Sequence, residues 1–233
     1  MTGFLLQIAI AAIPVIFAIT LHEAAHGYAA LALGDDTAKR MGRLSVNPLR
    51  HVDRVGTLLL PGLLMLGQLL TLGRIMFLFG WAKPVPVSAW RFANPRRGMM
   101  LVAAAGPAVN FFLAWLAALL IHGETLLPDA AGDVVDTMLQ TFILANLVLG
   151  LFNLLPIPPL DGGRIVVGLL PERLADAWAR LERAGIVIVL LLVFLLPRLL
   201  AEFGINFDPV GRALNTGLPW AFDLVYRLAF HDA

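Results

Sequence analysis

Long apolar runs separated by short polar segments are the main pattern along the chain. Four of these runs approach the roughly 20 residues that a helix needs to cross a bilayer, and they cover residues 4–33, 98–121, 137–156 and 181–200. A further run over residues 213–230 predicts either a span or an interfacial helix, and the pair Asp223 and Arg227 slightly favours the interfacial form. The pattern predicts an all-α polytopic membrane protein with about four to six transmembrane helices.

The charges between the runs predict the orientation of the helices. Basic residues concentrate in residues 34–54 and 83–97 and in the stretch from Arg164 to Arg183. Residues 122–136 are acidic and contain no Lys or Arg. Because cytoplasmic loops carry an excess of Lys and Arg, we expect the basic segments inside the cell and the acidic loop outside.

Residues 55–81 are apolar but have basic segments on both sides. Both ends are therefore expected at the cytoplasmic face, and about 26 residues are too few for two full crossings. We expect a re-entrant or interfacial element, broken near Pro61-Gly62 and packed against protein or a water-filled cavity. The alternative is an ordinary span that departs from the charge rule. Within residues 34–54, the run from Gly42 to Pro48 is typical of short strands and a turn, which predicts a short β-hairpin near the active site.

Composition supports a membrane protein with one integral domain. Hydrophobic residues make up 59% of the chain, charged residues 14%, and the mean hydropathy is +0.83, whereas soluble domains are about 45–50% apolar and about 25% charged. We expect one domain over residues 1–233, with a core over about 4–170 and C-terminal helices over 181–230. The formal net charge of +1 does not indicate nucleic-acid binding, and the absence of cysteine excludes disulfides and thiolate ligands.

The run His22-Glu23-Ala24-Ala25-His26 places a carboxylate and two imidazoles in the first apolar run, where Glu23 is the only acidic residue. Ionisable side chains are costly at membrane depth and indicate a functional site by default. On a helix, His22 and His26 share a face, so both can bind one zinc ion while Glu23 takes a proton from bound water. The alternative is that both histidines are packing residues satisfied by hydrogen bonds.

A catalytic zinc needs a third protein ligand, and Asp161 is a candidate. It follows a Pro-rich run that starts at Asn153 and precedes Gly162-Gly163, so prolines open the helix and glycines permit unusual backbone angles. The predicted orientation brings Asp161 to the depth of the two histidines. Alternatively, Asp161 caps the helix that follows. Asn153 is expected either to donate to the oxyanion of a tetrahedral intermediate or to bond a neighbouring helix.

Three motifs in this order resemble the site-2 protease family of intramembrane zinc metalloproteases, peptidase family M50. They are His22-Glu-Ala-Ala-His26, Gly106-Pro-Ala-Val-Asn110 and the run from Asn153 that ends in Leu-Asp161-Gly-Gly. Three further segments resemble a compact bacterial and archaeal branch, namely Gly34-Asp35, Gly42-Arg-Leu-Ser-Val-Asn-Pro48 and Phe79-Gly-Trp-Ala-Lys-Pro-Val-Pro-Val87. The resemblance covers residues from about 15 to 170.

The resemblance implies one Zn²⁺ held by three ligands, namely His22, His26 and Asp161. It also implies that Glu23 is the general base and that Asn153 assists the oxyanion. Gly106 and Asn110 are implied to lie near the site in the central core helix. Many relatives carry a PDZ or CBS module or a span before the HExxH helix, and we expect none of these in this chain.

The other polar and small residues are expected in supporting positions. His51 and Asp53 are expected in a solvated loop, with a second metal site or contacts to lipid headgroups as alternatives. His122 is expected at the outer membrane boundary, and Trp81 and Trp90 are expected to be interfacial anchors. Small residues near the site are expected to allow close helix approach, namely Ala24, Ala25, Gly27 and Gly106.

The motifs favour a zinc-dependent intramembrane endopeptidase that cleaves within or near transmembrane segments of membrane proteins. We expect it in a prokaryotic cell membrane with the site toward the cytoplasm, and we expect the bilayer and transmembrane-helix proteins as its partners. Two alternatives use the same ligands. A zinc transporter is disfavoured because metal transit needs no adjacent base, and a non-catalytic metal-binding scaffold is disfavoured by the intact Glu23. The sequence indicates neither the natural substrate nor the oligomeric state.

Overall fold

The computed structural model describes residues 2–74, 80–123 and 128–230, and every regular element in these ranges is helical. The α-helices of this part are α1 Thr2–Ala32, α2 Thr37–Arg40, α3 Leu60–Leu72, α4 Pro95–Ile121, α5 Asp129–Leu154, α6 Asp161–Leu169, α7 Glu172–Arg180, α8 Gly185–Leu190, α9 Leu196–Glu202 and α10 Pro209–Leu228. Five helical stretches are long and apolar enough to cross a membrane, namely Ala9–Ala32, Arg54–Thr71, Pro95–Ile121, Ala131–Leu154 and Glu172–Glu202. The prediction of an all-α protein with four to six membrane-length helices is confirmed for these ranges.

The central helix is α4, which packs against α1, α5 and α6. Its buried face carries small residues at helical spacing, namely Ala103, Gly106, Ala114, Ala117 and Ala118. Small side chains let helix backbones approach closely, which is how membrane helices gain packing contacts. The second half of α4 also packs with α5 and α10 around Ile143, Leu147 and Ala221. The buried face of α4 that carries these small residues therefore packs against both α1 and α5.

Two helical stretches begin earlier along the chain than predicted. α5 begins at Asp129 rather than at residue 137, so Asp133 and Asp136 lie in its first turns. Because the N-terminal end of a helix favours carboxylates, the acidic segment can join the helix instead of forming a loop. The predicted run 181–200 likewise belongs to a helical stretch that begins at Glu172.

Residues 34–54 contain no strand, so the β-hairpin expected there does not form. The segment contains α2 and a 3₁₀ turn over Pro48–Arg50 instead. Gly34 and Gly42 adopt left-handed φ angles of 99° and 63° and follow the ends of α1 and α2. Asn47 caps the 3₁₀ turn by accepting from the Leu49 N–H at 3.0 Å. The Gly and Pro residues that resemble strand boundaries therefore mark helix ends.

The apolar stretch over residues 55–81 is largely one helix whose two flanks meet. It starts as a π-turn over Arg54–Leu59, continues as α3 and ends at Gly73, which has a left-handed φ of 66°. Pro61-Gly62 lies inside this helix, so the expected break is only a change from π to α geometry. Residues 75–79, including Phe79 of the motif that starts there, lie outside the described ranges. Beyond them, the Trp81 N–H donates to the Gly56 carbonyl at 3.2 Å, so both ends of the stretch lie side by side.

Residues 80–88, called the extended segment below, run past α1 without regular structure. Pro84 and Pro86 favour an extended backbone here because each restricts its own φ and the residue before it. Four backbone N–H groups of the segment donate to other parts of the molecule. Trp81 and Lys83 donate to the carbonyls of Gly56 and His51, respectively. Val85 and Ser88 donate to the carboxylates of Glu23 and Asp35, respectively. The segment is therefore fixed at four points along its length.

Candidate metal centre

α1 brings the imidazoles of His22 and His26 onto one face, as their four-residue spacing predicts. The two Nε2 atoms lie 3.1 Å apart, and the rings are edge to face with centroids 4.7 Å apart. His22 is buried and His26 is half-buried. Two nitrogen lone pairs at this separation repel each other unless a proton or a cation lies between them, so the pair is suited to hold a cation.

Asp161 approaches the histidines from the break between α5 and α6. α5 ends at Leu154, the Pro-rich run turns the chain, and α6 begins at Asp161. The carboxylate lies beside the two imidazoles and caps no helix, so the alternative of an N-cap is wrong. Gly162 and Gly163 do not adopt the unusual backbone angles expected of them. They permit close packing instead, because a Cβ on Gly163 would lie 2.7 Å from the Pro158 nitrogen.

The three side chains form a triangle of ligand atoms that fits zinc. Asp161 Oδ2 lies 3.1 Å from His22 Nε2 and 3.4 Å from His26 Nε2. Tetrahedral zinc with bonds of about 2.0–2.1 Å sets its ligands about 3.3 Å apart, and a catalytic site leaves the fourth position open. Oδ2 is buried and has no hydrogen-bond partner in the described ranges, which is costly for a carboxylate that binds no cation. The same ranges contain no other such group of three metal-ligating side chains.

The Nδ1 atom of each imidazole faces a group on α4. His26 Nδ1 lies 2.7 Å from the Val102 carbonyl, and because a carbonyl only accepts, Nδ1 carries the proton and Nε2 keeps its lone pair for a metal. His22 Nδ1 lies 2.6 Å from Asn110 Oδ1. A Cβ on Gly106 would lie 2.5 Å from His26 Cε1 and 2.6 Å from His22 Cε1. Gly106 and Asn110 therefore both lie beside the imidazoles of this group.

The carboxylate of Glu23 is held by the extended segment. The Val85 N–H donates to Glu23 Oε2 at 3.1 Å, and Val85 is buried. A Cβ on Gly27 would lie 3.0 Å from Val85 Cγ1, so this glycine lets the segment approach α1. The small residues were expected to let helices approach closely, whereas the neighbour at Gly27 is this irregular segment. Sequence reasoning missed Val85 because a backbone N–H leaves no signal in a side-chain motif.

Two asparagines of α5 make different kinds of contact. The Asn153 amide nitrogen donates to the Leu149 carbonyl of its own helix at 3.0 Å, and no described contact joins it to the three ligands. Asn146, which sequence reasoning missed, is fully buried and accepts a hydrogen bond from Asn110 Nδ2 at 2.7 Å. A signal for Asn146 was available, because it is a polar side chain inside an apolar run, as Asn110 is.

His51 and Asp53 organise the loop before α3. His51 is buried and its Nε2 donates to the Ser45 carbonyl at 2.7 Å, so the expectation of a solvated position is wrong for this residue. Asp53 caps the π-turn, since its Oδ1 accepts from the Val55 and Gly56 N–H groups at 3.0 and 2.7 Å. Neither residue joins a metal-ligating group within the described part of the chain.

The residues expected at the membrane boundary lie away from the three ligands. His122 follows α4, and its Nε2 donates to the Ala229 carbonyl at 2.7 Å, which ties the end of α4 to the end of α10. Trp81 and Trp90 are 38% and 76% exposed, and the Arg91 guanidinium lies 5.2 Å from the centroid of the Trp90 ring. Their positions relative to the bilayer stay predictions.

A second buried carboxylate fixes the far end of the extended segment. Asp35 is 1% exposed and accepts from the Ser88 N–H at 2.6 Å and from the Thr37 N–H at 3.0 Å. Burial alone would raise the pKa of the Asp35 carboxyl, but these donors and the nearby Arg91 guanidinium outweigh burial and hold the pKa below its ordinary value. Arg91 also pairs with Asp36. The turn after α1 is thus bonded to residues 88–91.

Similarity to known proteins agrees with this geometry. Residues 128–196 match peptidase family M50. The chain is 40% identical over 185 residues to "Putative zinc metalloprotease YwhC" of Bacillus subtilis, which covers 77% of this chain and 78% of that protein. The chain belongs to peptidase family M50.

Further relatives of this M50 chain are more distant. It is 31% identical over 182 residues to "Putative zinc metalloprotease Rip2" of Mycobacterium tuberculosis, covering 78% of this chain and 64% of that protein. It is 37% identical over 79 residues to "Zinc metalloprotease MJ0392" of Methanocaldococcus jannaschii, covering 34% of this chain and 22% of that protein. No solved structure matches the chain. Membership of family M50 confirms the resemblance seen in the sequence and, with the His-His-Asp group, the prediction of a metalloprotease that uses zinc.

Proposed function

We propose that this M50 chain is an intramembrane endopeptidase that hydrolyses peptide bonds within or near the transmembrane segments of membrane proteins. The observation that carries the proposal is the convergence of His22, His26 and Asp161 in a chain with five helices of membrane length. Glu23 lies next to His22 in the same helix, which supplies a base beside the ligands. One catalytic core over residues 4–170, followed by C-terminal helices over 181–230, would contain all of these groups.

The roles of the side chains follow from their chemistry. His22, His26 and Asp161 would hold zinc, which when bound acidifies water and polarises the scissile carbonyl. Glu23 would take the proton of the attacking water and deliver it to the leaving amine. The Val85 N–H, 3.1 Å from Glu23 Oε2, restricts the orientation of that carboxylate.

Asn153 would assist the oxyanion. Its amide has two N–H donors, and one of them already bonds the Leu149 carbonyl. The second donor is the one that this role requires, since an amide that points toward a developing negative charge stabilises the transition state.

The membrane imposes two conditions on the reaction. A polar path for water must lead from the cytoplasm to the three ligands, and the carbonyls of a helical substrate must lose their internal hydrogen bonds before attack. A transmembrane-helix protein would therefore unwind locally at the site. The extended backbone of residues 80–88, which contacts Glu23 through Val85, lies where the unwound substrate would have to arrive.

We place the site toward the cytoplasmic face of a prokaryotic cell membrane. The basic segments 34–54 and 83–97 lie together at one end of α4, as the hydrogen bond of 2.9 Å from Arg43 to the Lys83 carbonyl shows. The acidic segment that begins at His122 lies at the other end. This separation of charge supports an inward-facing basic end. The meeting of Trp81 with Gly56 supports a re-entrant element over 55–81.

Replacing Glu23 by Gln tests the proposed function. The amide cannot take the proton, so we expect cleavage of a membrane-embedded peptide to fall about 10²- to 10⁴-fold, while bound zinc is retained because the three ligands are untouched. Glu172→Gln makes the same change at an exposed position of α7 and should cleave normally. Full cleavage by Glu23→Gln would refute the general-base role, and absence of zinc from the unmodified protein would refute the metal centre.

A further inference from the structure

Two asparagine side chains are completely buried between α4 and α5. Asn110 and Asn146 are both 0% exposed, and Asn110 Nδ2 donates to Asn146 Oδ1 at 2.7 Å. A buried amide is costly unless its donors and acceptors are paired. Asn110 already faces His22, but Asn146 touches no ligand, and none of the roles above involves it.

The orientation of Asn146 is set by a group that can only accept. Asn146 Nδ2 donates to the Phe142 carbonyl, one helical turn earlier, at 2.8 Å. Because a backbone carbonyl has no proton to donate, the NH₂ group of Asn146 must face Phe142 and its oxygen must face Asn110. A flipped Asn146 would bring two oxygen atoms together.

The same reasoning fixes Asn110 and then His22. Asn110 Nδ2 donates to the Asn146 oxygen at 2.7 Å and more weakly to the Ala18 carbonyl at 3.4 Å. Both acceptors favour the same orientation, and the shorter bond to Asn146 is the stronger constraint. Asn110 Oδ1 is therefore the atom that faces His22 Nδ1 at 2.6 Å, so His22 donates from Nδ1 and keeps the Nε2 lone pair. His26 needs no such relay, because the Val102 carbonyl fixes its Nδ1 proton directly.

We propose that Asn146 is a positioning residue that orients the Asn110 amide and thereby selects the His22 tautomer that binds zinc. The proposal rests on the proposed function, because it assumes that His22 is a zinc ligand. The chain of hydrogen bonds begins at the Phe142 carbonyl, which is backbone and cannot flip, and it ends at the metal centre. Bonds of this kind to the far nitrogen of a ligating imidazole tune metal affinity.

Replacing Asn146 by Leu removes the relay and keeps the branched shape of the side chain, with two methyl groups in place of the smaller oxygen and NH₂ group. We expect the zinc affinity of the full chain, measured in detergent by competition with a chromophoric chelator, to fall about 10- to 100-fold. Leu147→Ala is the matched control, because Leu147 is the next residue, is 0% exposed and packs in the core but belongs to no part of the relay. An unchanged zinc affinity in folded Asn146→Leu, or an equal loss in Leu147→Ala, overturns the proposal.

A double substitution separates orientation from packing. Asn110→Asp offers His22 an acceptor oxygen in either orientation, so the group at position 110 no longer needs to be oriented. Its second oxygen then faces Asn146 Oδ1 and is repelled by it, and Asn146→Leu removes that repulsion. In that background, adding Asn146→Leu should cause no further loss of zinc affinity. If Asn146→Leu lowers the zinc affinity of the Asn110→Asp variant as much as it lowers that of the unmodified protein, Asn146 acts only by packing and the proposal is overturned.

The tautomer itself can be observed without any substitution. In zinc-free protein with ¹⁵N-labelled histidine, His22 should carry its proton on Nδ1, and Asn146→Leu should increase the population with the proton on Nε2. Absence of the Nδ1 proton from His22 in the unmodified protein overturns the relay. If the unmodified protein binds zinc tightly and the Asn146→Leu variant binds it equally well, the relay fails while the proposed function stands. If neither protein binds zinc, the proposed function fails.

Discussion

The site has a helical side and a non-helical side, and they hold their polar groups in different ways. The helical side consists of α1, α4, α5 and the start of α6, where buried imidazole, amide and carboxylate side chains face one another. The non-helical side consists of residues 34–54 and 80–92, which are mostly irregular and hold only short helical turns besides α2. Here the backbone N–H groups of Val85 and Ser88 donate to the carboxylates of Glu23 and Asp35. The proposed zinc ligands lie on the first side, whereas the second side holds the carboxylate of the proposed base.

This difference suggests that metal binding and proton transfer depend on separate parts of the molecule. A change on the helical side should alter zinc affinity, because it moves the imidazoles or their partners. A change on the non-helical side should alter turnover and leave zinc bound, because the described polar contacts of His22, His26 and Asp161 are with one another and with α4. The following substitutions test the separation, from the largest expected effect to the smallest.

Gly106→Ala should have the largest effect on the helical side. The added methyl would lie 2.5 Å from His26 Cε1 and 2.6 Å from His22 Cε1, so both imidazoles must move. Overpacking costs typically about 1–3 kcal/mol, and displaced ligands should weaken zinc binding at least as much as loss of an outer hydrogen bond, about 10- to 100-fold. Bound zinc and peptide cleavage should fall together.

Gly67→Ala is the control for this experiment. A methyl at Gly67 meets no atom within 4 Å, so zinc and activity should stay unchanged, and the free energy of unfolding should rise by about 0.5–1 kcal/mol because alanine favours a helix. Normal zinc content in Gly106→Ala would show that the imidazoles do not need the space beside this glycine, and the helical side would then be less constrained than we infer.

Val85→Pro should have an intermediate effect on the non-helical side. Proline removes the N–H that donates to Glu23 Oε2, and Pro86 already biases residue 85 toward an extended backbone. A hydrogen bond to a charged group contributes about 1.5–3 kcal/mol, so the turnover number should fall by roughly one to two orders of magnitude with zinc retained. Val85→Ala keeps the N–H and should lose much less. Equal turnover in the two variants would exclude a role for this donor.

Asp35→Asn should mainly lower stability. The buried carboxylate accepts from Ser88 and Thr37, and weakening these bonds should reduce the free energy of unfolding by about 1–3 kcal/mol. The melting temperature in detergent should fall, and zinc should remain bound. Asp176→Asn, an exposed change in α7, is the control and should melt normally. Loss of zinc from Asp35→Asn at temperatures where the protein is folded would contradict the separation of the two sides.

The pH dependence of stability should give the smallest effect. The pKa of Asp35 is lowered in the folded protein, so its contribution to stability is present above the ordinary value of 3.8 and is lost as pH falls through the lower folded value. The melting temperatures of the unmodified protein and Asp35→Asn should therefore converge as pH falls below about 3.8. A constant difference through that range would show that Asp35 does not act through its charge.

The helical side was largely predictable from the sequence. The spacing of His22 and His26 fixes their common face, and the motif around Asp161 supplied the third ligand that the structure brings within 3.4 Å. Helix geometry places side chains four residues apart on one face, so the five residues from His22 to His26 are enough to predict that the two imidazoles lie together. The one important omission on this side, Asn146, was visible as a polar residue in an apolar run but had no motif to mark it.

The non-helical side was poorly predictable for a physical reason. Its contacts join backbone groups to side chains that are distant along the chain, such as Val85 to Glu23, and these contacts do not depend on residue type at the donor. The glycines and prolines of residues 34–54 were interpreted as strand boundaries, although Gly34 and Gly42 follow helix ends. Turn-forming residues show where the chain changes direction but not which regular element precedes the turn.

The origin of the three ligands in two different helices has a consequence for folding. His22 and His26 belong to α1 and Asp161 to α6, so a bound ion would cross-link the beginning of the chain to a segment that follows the Pro-rich break. An ion that binds the native state alone stabilises that state by mass action, by about 2.7 kcal/mol at a free concentration 100 times its dissociation constant. The protein would thus gain rigidity from the same ion on which its chemistry depends.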